Sequence, residues 1–230
     1  MNSTQDTNRR IRLIMHLRTM GITDTRVLAA METVPRDAFV PAAVKEQAWD
    51  DIALPIGRGQ TISQPFVVAL MTQALGLSDR DSVLEIGTGC GYQTAILSKL
   101  ARRVYTIERH KPLLDEAEKR FQTLKLRNVM ALAGDGMKGW LQSRGADPLL
   151  FDKIIVTAAA RHEPPQALLD QLKDGGVMVI PVGENGDQVL RLYRRAGGDF
   201  PYKDLFPVRF VPLLPDMAGD ESGNDRTGTA

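Results

Sequence analysis

The sequence predicts an α/β fold, a doubly wound and mostly parallel sheet with helices on both faces and an N-terminal helical extension. Three observations predict it. Short apolar runs alternate with helix-like segments from residue 82 onward, which is the order that a parallel sheet with crossover helices requires. Glycines occupy positions 87, 89 and 91, directly after the first of these runs. Acidic residues end or follow three successive runs, where the carboxyl ends of parallel strands would bring them together.

The N-terminal extension is predicted to be helical. Apolar residues spaced along 11–20 follow a helical period, whereas the polar residues 1–9 are expected to be loose. Asp24 is a candidate N-cap for a second helix that ends near residue 33. Residues 34–63 contain three prolines and two glycines and are predicted to be irregular. So long an irregular segment is uncommon inside a compact domain unless it is functional.

A helix over 64–75 leads into the alternating region. Ser63 is a candidate N-cap for it, and Pro65 stands in the first turn, where proline is tolerated. Strands are then predicted near 82–86, 103–107, 129–133, 151–157 and 176–181, and helices near 92–100, 112–125, 137–143 and 165–173. Two later strands are predicted at 188–195 and 205–211, with an antiparallel edge.

The whole chain, 1–230, is predicted to be a single domain. Its parts are the N-terminal extension with the loop that follows it (1–63), the α/β core with its C-terminal strands (64–215), and a tail (216–230). Because Gly, Asp, Thr and Ser dominate the tail, we expect it to be disordered.

The glycine-rich turn at 87–91 predicts a ligand site. A glycine lacks a Cβ, so its backbone can approach a ligand closely, and the helix that follows begins with free N–H groups at the same place. The dinucleotide-binding fingerprint would have its third glycine at position 92, where this chain has Tyr92. The acid at Glu85 suits a ligand with a sulfonium and an ammonium group better than it suits a pyrophosphate. The spacing therefore resembles the first motif of class I methyltransferases, which bind S-adenosylmethionine, more than it resembles a NAD site.

Two further acids extend the predicted donor site. Glu108 ends the second apolar run and lies 21 residues after Gly87, close to the spacing of about 20 at which an acid meets ribose hydroxyls in nucleotide-binding βαβ units. Asp135 follows the third run between two glycines, at the sheet edge where it could meet an adenine amino group. Each feature alone can be a tight turn or a solvated strand end. Their recurrence at three successive strand ends predicts an adenosyl-ligand site.

Composition argues against several function classes. Of 230 residues, 29 are basic and 28 acidic, so the net charge is +1 and no nucleic-acid-binding surface is expected. The single cysteine allows no intramolecular disulfide, and no Cys or His pattern predicts a metal site. The sequence has neither an apolar signal core nor a membrane-spanning run. We therefore expect a cytoplasmic protein that binds no membrane, and we expect a monomer.

The segment before the core carries the most specific pattern in the chain. Residues 54–65 read Leu-Pro-Ile-Gly-Arg-Gly-Gln-Thr-Ile-Ser-Gln-Pro, and residues 34–41 read Val-Pro-Arg-Asp-Ala-Phe-Val-Pro. Together with Gly-Thr-Gly-Cys-Gly-Tyr-Gln-Thr-Ala at 87–95, these strings closely resemble the protein-L-isoaspartate O-methyltransferase family, and the likeness extends over residues 10–214. Two departures keep size or aromatic character: Cys90 stands where the family usually has Ser, and Trp49 where it usually has Tyr.

The resemblance implies a Rossmann-like class I methyltransferase fold and a defined activity. The family transfers a methyl group from S-adenosyl-L-methionine to the free α-carboxylate of an L-isoaspartyl residue and leaves S-adenosyl-L-homocysteine. The ester then closes to a succinimide, which water opens partly to normal aspartate. The implied partners are proteins and peptides that contain L-isoaspartyl residues. Ser63 matches the family's active-site serine. The resemblance implies a substrate side that includes Gln60, Thr61, Ile62, Thr157, Ala158 and Ala159. It implies a donor side that includes Glu85, Gly87, Thr88, Gly89, Gly91, Glu108, Asp135 and Gly136.

The implied chemistry requires few catalytic groups. An α-carboxyl has a pKa of about 3.3–3.7 and is already an anion near pH 7, and a sulfonium is a good leaving group, so neither a general base nor a general acid is needed. Positioning and exclusion of water remain, and positioning alone supplies about 7–11 kcal/mol. Ser63 is expected to donate a hydrogen bond to the substrate rather than to act as a covalent nucleophile. Its alternative role is that of a plain helix N-cap.

Other interpretations stay open on the residues alone. The donor motifs also fit a methyltransferase for a small molecule or RNA, or a non-enzymatic module that binds the donor without transferring its methyl group. A dehydrogenase is disfavoured by Tyr92, and the motif at 54–65 favours the isoaspartyl substrate. Cys90 lies in the turn before a helix, where a thiol pKa can be lowered, although replacement of a small serine is the simpler interpretation.

Overall fold

Six α-helices and nine β-strands follow one another in the described part of the chain. The computed structural model describes residues 3–141, 148–184 and 186–219, with only the backbone of residues 3–5. The helices are α1 (Ser3–Thr19), α2 (Thr25–Thr33), α3 (Pro65–Leu75), α4 (Tyr92–Ser98), α5 (Lys111–Thr123) and α6 (Gln166–Asp170). The strands are β1 (Leu54–Gly57), β2 (Gln60–Ile62), β3 (Ser82–Ile86), β4 (Arg103–Glu108), β5 (Val129–Ala133), β6 (Phe151–Val156), β7 (Leu172–Glu184), β8 (Asp187–Arg194) and β9 (Tyr202–Val208).

Seven of these strands form one sheet in the order β5-β4-β3-β6-β7-β8-β9. The first five in this order run parallel, and β8 and β9 add an antiparallel edge. The order reverses between β3 and β6, because the chain leaves β3 toward β4 on one side and returns to β6 on the other. In such sheets the crevice outside the carboxyl ends of the strands at the reversal binds ligands. The predicted doubly wound, mostly parallel sheet is confirmed.

Different helices cover the two faces of the sheet. Val83 of β3 belongs to a buried apolar cluster with Met71 and Leu75 of α3. Its neighbour Leu84 belongs to another cluster, which includes Leu168 of α6. Successive side chains of a strand point to opposite faces, so α3 and α6 lie on opposite sides of the sheet, as a doubly wound fold requires.

The helices α1 and α2 form the predicted N-terminal extension. Asp24 caps α2 as predicted, since its carboxylate accepts a hydrogen bond from the backbone N–H of Arg26 at 2.9 Å. The expectation that residues 1–9 are loose is wrong from Ser3 onward, because α1 begins there. The apolar side chains of the extension share one buried cluster with α3 and α4, including Leu17, Met31, Ala69 and Ile96.

The segment over 34–63 is more regular than predicted. It contains two short 3₁₀ helices, Arg36–Ala38 and Ala42–Gln47, and the antiparallel hairpin of β1 and β2. Pro35 and Pro41 directly precede the two 3₁₀ helices, and Pro55 lies in β1. A proline is tolerated in a two-stranded ribbon, because each strand has an open edge where no N–H is needed for pairing. Arg58 stands at the hairpin turn with a positive φ of 51°, between two glycines that also have positive φ.

Three further expectations are changed by the structure. The helix predicted over 137–143 is only a 3₁₀ turn, Gly136–Lys138, which ends at Gly139 with a φ of 67°, and residues 142–143 lie outside the described residues. The helix predicted over 165–173 shortens to α6 because β7 already begins at Leu172. Of the tail predicted to be disordered, residues 220–230 lie outside the described residues. Residues 216–219 pack against the end of β4, where Ala218 N–H donates to the Arg109 carbonyl at 3.0 Å.

Candidate active site

A cavity of about 770 Å³ lies at the carboxyl ends of β3, β4 and β6, where the strand order reverses. Its volume is in the range typical of small-molecule sites, about 300–1,000 Å³. Five segments form most of its wall: the glycine turn after β3, residues 107–110 after β4, Thr157 and Ala158 after β6, the segment from Gly59 to Gln64, and the segment from Phe206 to Leu214. Gly136 after β5 also borders it.

The structure brings most of the sequence-predicted site residues to this cavity. Those that border it are Gln60, Thr61, Ile62, Ser63, Gly87, Thr88, Gly89, Glu108, Gly136, Thr157 and Ala158. Four others do not border it, namely Glu85, Gly91, Asp135 and Ala159. The four lie immediately behind the wall, and each contacts groups that hold the wall in place.

Two positions of the turn require glycine because other side chains of the protein pack closely against them. Gly87 has a φ of 94°, and a Cβ there would overlap the hydroxyl oxygen of Thr157, which donates to the Gly87 carbonyl at 2.8 Å. Gly91 has a φ of 90° at the start of α4, and a Cβ there would lie 2.5 Å from the ring of Phe121 on α5. Both therefore adopt left-handed angles at points of close approach, which only glycine combines without strain.

Glu85 lies fully buried beneath the glycine turn. Its Oε2 accepts hydrogen bonds from the hydroxyls of Thr94 at 2.5 Å and Thr106 at 2.6 Å, while its Oε1 has no partner among the described residues. Thr106 in turn shares a hydroxyl–hydroxyl bond of 2.6 Å with Thr88 of the turn. Burial raises the pKa of Glu85 to about 8. The carboxyl thus joins β3, β4 and α4 under the turn.

Glu108 borders the cavity and supports the glycine turn at the same time. Its Oε2 accepts a hydrogen bond from the Gly89 N–H at 2.8 Å, and its Oε1 accepts one from the His110 N–H at 2.9 Å. A carboxylate offers about four acceptor positions, so each oxygen keeps capacity for a hydroxyl of a ligand. This geometry suits the ribose-binding role that the sequence predicts.

Asp135 lies next to the cavity wall formed by Gly136. Its carboxylate accepts from the Met137 N–H at 2.9 Å and pairs with the Lys138 ammonium at 3.2 Å. Burial raises the pKa of Asp135, but hydrogen bonds from the Asp216 and Met137 N–H groups and from Lys138 together bring it below its usual value. Its acceptor capacity is already shared by three donors, and Gly136 is the member of the pair that reaches the cavity.

Ser63 borders the cavity with a hydroxyl that forms no hydrogen bond within the described residues. It is not the N-cap of α3, as the sequence also allowed: Gln64 holds that position, and the Asp51 carboxylate satisfies the first turn by accepting from the Phe66 N–H at 2.7 Å. The Ser63 carbonyl is fixed by Arg36, whose Nη2 donates to it at 2.8 Å. A fixed backbone and a free hydroxyl leave this side chain available to a ligand.

The other predicted substrate residues differ in what they can offer. In β2, Ile62 is buried and Thr61 is exposed, while the Gln60 amide donates back to the Arg58 carbonyl at 3.2 Å. After β6, both backbone groups of Ala159 are already paired, its N–H with Val211 and its carbonyl with Leu213.

Ala160 is also paired, with Pro181 and Gly183. Ala158 lies between these paired residues and Thr157, whose N–H bonds to the Ile86 carbonyl. The backbone N–H and carbonyl of Ala158 form no bond within the described residues, and Ala158 borders the cavity.

Sequence reasoning missed the segment from Phe206 to Leu214 as a wall of the site. The sequence predicts only a strand over 205–211. The Gln188 side chain on β8 clamps Phe210 by accepting from its N–H at 2.6 Å and donating to its carbonyl at 3.1 Å. No local sequence pattern predicts this wall, because hydrogen bonds with residues distant in the sequence hold the segment in position.

Cys90 also borders the cavity, but burial raises the pKa of its thiol. The net shift is thus opposite to the lowered thiol pKa that a redox or nucleophilic role requires, although Arg36 and Arg120 act in the lowering direction. Within residues 3–141, 148–184 and 186–219, no group of three or more His, Cys, Asp or Glu side chains is arranged to hold a metal ion. None of the helices in this part of the chain combines the length and apolar character needed to cross a bilayer.

The sheet order and the glycine turn, with an acid at the end of the next strand, define the protein as a Rossmann-like methyltransferase of class I. The family model described as Protein-L-isoaspartate(D-aspartate) O-methyltransferase (PCMT) matches residues 8–218. This chain belongs to that family.

Similar proteins support the same assignment. The chain is 57% identical over 220 residues to the protein-L-isoaspartate O-methyltransferase of Rhodospirillum centenum, covering 95% of this chain and 97% of the relative. It is 58% identical over 213 residues to that of Rhodospirillum rubrum, covering 91% and 94%. Among solved structures, a Plasmodium falciparum beta-aspartate methyltransferase in complex with S-adenosyl-L-homocysteine superposes with a TM-score of 0.76 at 27% identity, over 88% of this chain and 97% of that one.

Proposed function

We propose that this protein transfers a methyl group from S-adenosyl-L-methionine to the free α-carboxylate of L-isoaspartyl residues in damaged proteins and peptides. Its family and its relatives support this function. The single observation that carries the site assignment is the free hydroxyl of Ser63. It lies on the wall of the same cavity as Glu108 and the glycine turn.

The residues of the donor side fit S-adenosylmethionine. Glu108 has acceptor capacity for the two ribose hydroxyls, and Gly89 and Gly136 border the cavity with their backbone alone. The Plasmodium falciparum relative binds S-adenosylhomocysteine, which this donor becomes after transfer. When bound, the donor supplies a methyl group on a positively charged sulfur, which leaves as a neutral thioether without needing a proton.

The acceptor side requires a group that holds a carboxylate without neutralising it. The Ser63 hydroxyl can donate a hydrogen bond to one carboxylate oxygen and leave the other free to form the new bond to carbon. A neutral donor orients the nucleophile at little cost to its reactivity. The unpaired backbone N–H and carbonyl of Ala158 can bind the peptide backbone next to the reacting residue. Both contacts involve groups that every isoaspartyl site has, whatever its neighbours.

Exclusion of water comes from the β1–β2 hairpin and the segment from Phe206 to Leu214. The Ile56 side chain of the hairpin lies 3.4 Å from where a Cβ of Gly89 would be, so the hairpin reaches the glycine turn. Repair then proceeds without further catalytic groups. In the methyl ester, the nitrogen of the next peptide bond attacks the ester carbonyl, methanol leaves, and a succinimide forms. Water opens this ring partly to normal L-aspartyl.

We propose that the chain forms a single methyltransferase domain, since one buried cluster joins the N-terminal helices to α3 and α4. We further propose that it works as a cytoplasmic monomer that binds neither nucleic acid nor a membrane. The near balance of 29 basic and 28 acidic residues supports the absence of nucleic-acid binding, because proteins that bind nucleic acids use a basic surface.

The decisive experiment is methyl transfer from labelled S-adenosylmethionine to a matched pair of peptides. One peptide carries L-isoaspartate and the other normal L-aspartate at the same position. We expect label only in the isoaspartyl peptide, as a base-labile ester. Absence of label in both, with donor binding intact, would contradict the proposed substrate and direct the search to small molecules and RNA.

A further inference from the structure

Arg209 is an exposed cation on the wall of the active-site cavity. It follows Val208, the last residue of β9, within the segment that closes one side of the site. Its guanidinium forms no hydrogen bond or ion pair within the described residues. Neither the donor site nor the proposed contact of Ser63 with the reacting carboxylate uses it.

The backbone on either side of Arg209 is fixed. Before it, Val208 pairs with Gln188 in the sheet. After it, the side chain of the same Gln188 holds the N–H and the carbonyl of Phe210, and Ala159 holds Val211 through a 2.8 Å hydrogen bond. Only the long side chain of Arg209 is left to move. Because the backbone is already fixed, binding a ligand through this cation has to order only one side chain.

The other ionisable groups that border the cavity are engaged or lie on the donor side. The carboxylate of Glu108 accepts two backbone hydrogen bonds. The guanidinium of Arg109 donates to the carbonyls of Pro215 and Asp216 at 3.4 and 3.2 Å. Near Gly186 at the rim, the acid Glu184 is paired with Arg161. Among the described residues that border the cavity, Glu108 is thus the one acid, and Arg209 is a cation without a partner.

The chemistry of the reaction decides which anion Arg209 receives. The reacting α-carboxylate loses its charge when it becomes an ester. A direct ion pair would therefore stabilise it more before the transfer than in the transition state, and this raises the barrier. An acidic side chain beside the isoaspartyl residue keeps its charge throughout, so an ion pair with it improves binding at no cost to the chemical step. The planar fork of a guanidinium suits such a carboxylate.

We propose that Arg209 is a specificity-determining residue: it favours isoaspartyl sites that carry an acidic side chain near the damaged residue. This inference rests on the proposed function, because it concerns the peptide that occupies the same site. Backbone contacts then allow every isoaspartyl site to bind, and Arg209 makes sites with an acidic neighbouring side chain bind more tightly than sites without one.

The test compares pairs of isoaspartyl peptides that differ in one side chain, which is Glu in one peptide and its neutral isostere Gln in the other. The varied residue is placed in turn at each of four positions, the two before and the two after the isoaspartyl residue. For the unsubstituted protein at low salt, we expect kcat/KM to favour the best Glu peptide over its Gln partner by about 2- to 5-fold, the range of an exposed ion pair. KM carries the difference, and kcat is the same for both peptides. Near 1 M salt, where the screening length is about 3 Å, the preference disappears.

Two variants and a matched control separate this from a general charge effect. Arg209→Gln abolishes the Glu preference while it keeps activity on the Gln peptide and affinity for S-adenosylhomocysteine, and Arg209→Glu reverses the preference. Arg80→Gln removes the same charge from an exposed turn at the amino end of β3, whereas the cavity lies at the carboxyl ends of the strands, and this variant retains the preference.

A Glu preference that survives in Arg209→Gln, or its absence in the unsubstituted protein, would overturn the inference while the isoaspartyl activity stands. Failure to methylate any isoaspartyl peptide would overturn the proposed function itself.

Discussion

The guanidinium of Arg36 donates a hydrogen bond from Nη2 to the backbone carbonyl of Ser63, over 2.8 Å. Arg36 is completely buried, also donates to the Ile52 carbonyl at 3.3 Å, and lies 4.8 Å from the ring centre of Tyr92 at the start of α4. One side chain thus connects the end of β2, which carries the proposed substrate contact, to the helix behind the glycine turn. We therefore expect Arg36 to couple the position of the proposed acceptor site to that of the donor site.

Replacing Arg36 by Lys is expected to reduce both stability and turnover. A lysine ammonium is a point charge on a shorter side chain without the planar face that lies over Tyr92, so it cannot keep the ring contact and reach both carbonyls. A buried carbonyl left unpaired costs about 1–3 kcal/mol. Urea denaturation measures this loss, and steady-state kinetics with an isoaspartyl peptide measure a fall in kcat. The matched control is Arg26→Lys, because Arg26 is exposed and pairs with Asp24 at the surface, where an ion pair contributes at most about 1 kcal/mol. Equal behaviour of the two variants would contradict the coupling.

Ser63→Ala is expected to keep the fold and donor affinity and to lower kcat/KM for isoaspartyl peptides by about 10- to 150-fold. The range corresponds to the loss of one hydrogen bond to a charged group, about 1.5–3 kcal/mol. Stability is unaffected because Ser63 does not cap α3 and its hydroxyl has no partner in the described chain. Peptide kinetics and S-adenosylhomocysteine titration measure the two effects separately. Ser98→Ala, which removes a hydroxyl at the C-terminal end of α4, serves as the control. A loss of donor affinity in Ser63→Ala would assign Ser63 to the donor side instead.

The sheet and the donor turn could be predicted because their signals are local. An apolar run that ends at Ile86 and is followed by alternate glycines predicts a strand and a tight turn. The spacing of Glu108 from Gly87 predicts the acid of the donor site. The sequence did not distinguish glycines that face a ligand from glycines that face the protein. The side chains that occupy the space beside Gly87 and Gly91, Thr157 and Phe121, lie far away in sequence.

The two segments that we propose as the substrate side of the cavity could not be predicted from the local sequence. The hairpin of β1 and β2 depends on the burial of Leu54 and Ile62, and the segment after β9 depends on Gln188 and Ala159. No pattern of period 2 or 3.6 encodes these contacts. The proposed role of Ser63 came from the resemblance of its motif to the family. The residues around it suggested only a helix cap, a position that Gln64 holds in the structure.

Glu108→Ala is expected to weaken donor binding by about 1.5–3 kcal/mol, the contribution of a hydrogen bond to a charged group. The variant also leaves the N–H groups of Gly89 and His110 without their acceptor, so the glycine turn loses support and stability falls as well. Calorimetric titration with S-adenosylhomocysteine measures the affinity. Glu32→Ala removes an exposed acid from α2 and should bind as the unsubstituted protein does. Unchanged affinity in Glu108→Ala would show that the ribose is held elsewhere.

Glu85→Gln is expected to flatten the pH dependence of stability. The pKa of Glu85 rises from 4.5 to about 8 on folding, because burial disfavours the anion. Between these values the folded state holds a proton that the unfolded state has released. The stabilisation that this proton provides is therefore complete below pH 4.5 and is lost progressively as the pH rises to about 8, at up to about 1.4 kcal/mol per pH unit.

A glutamine cannot titrate, and its carbonyl oxygen can still accept from Thr94 and Thr106, so the variant loses this slope. Urea denaturation of both proteins at pH 5, 6, 7 and 8 measures the difference in the free energy of unfolding, and Glu32→Gln on the surface is the control. We expect the curves to diverge with rising pH in favour of Glu85→Gln. Parallel curves would mean that Glu85 is ionised in the folded protein and that its buried charge is stabilised by the threonine hydroxyls.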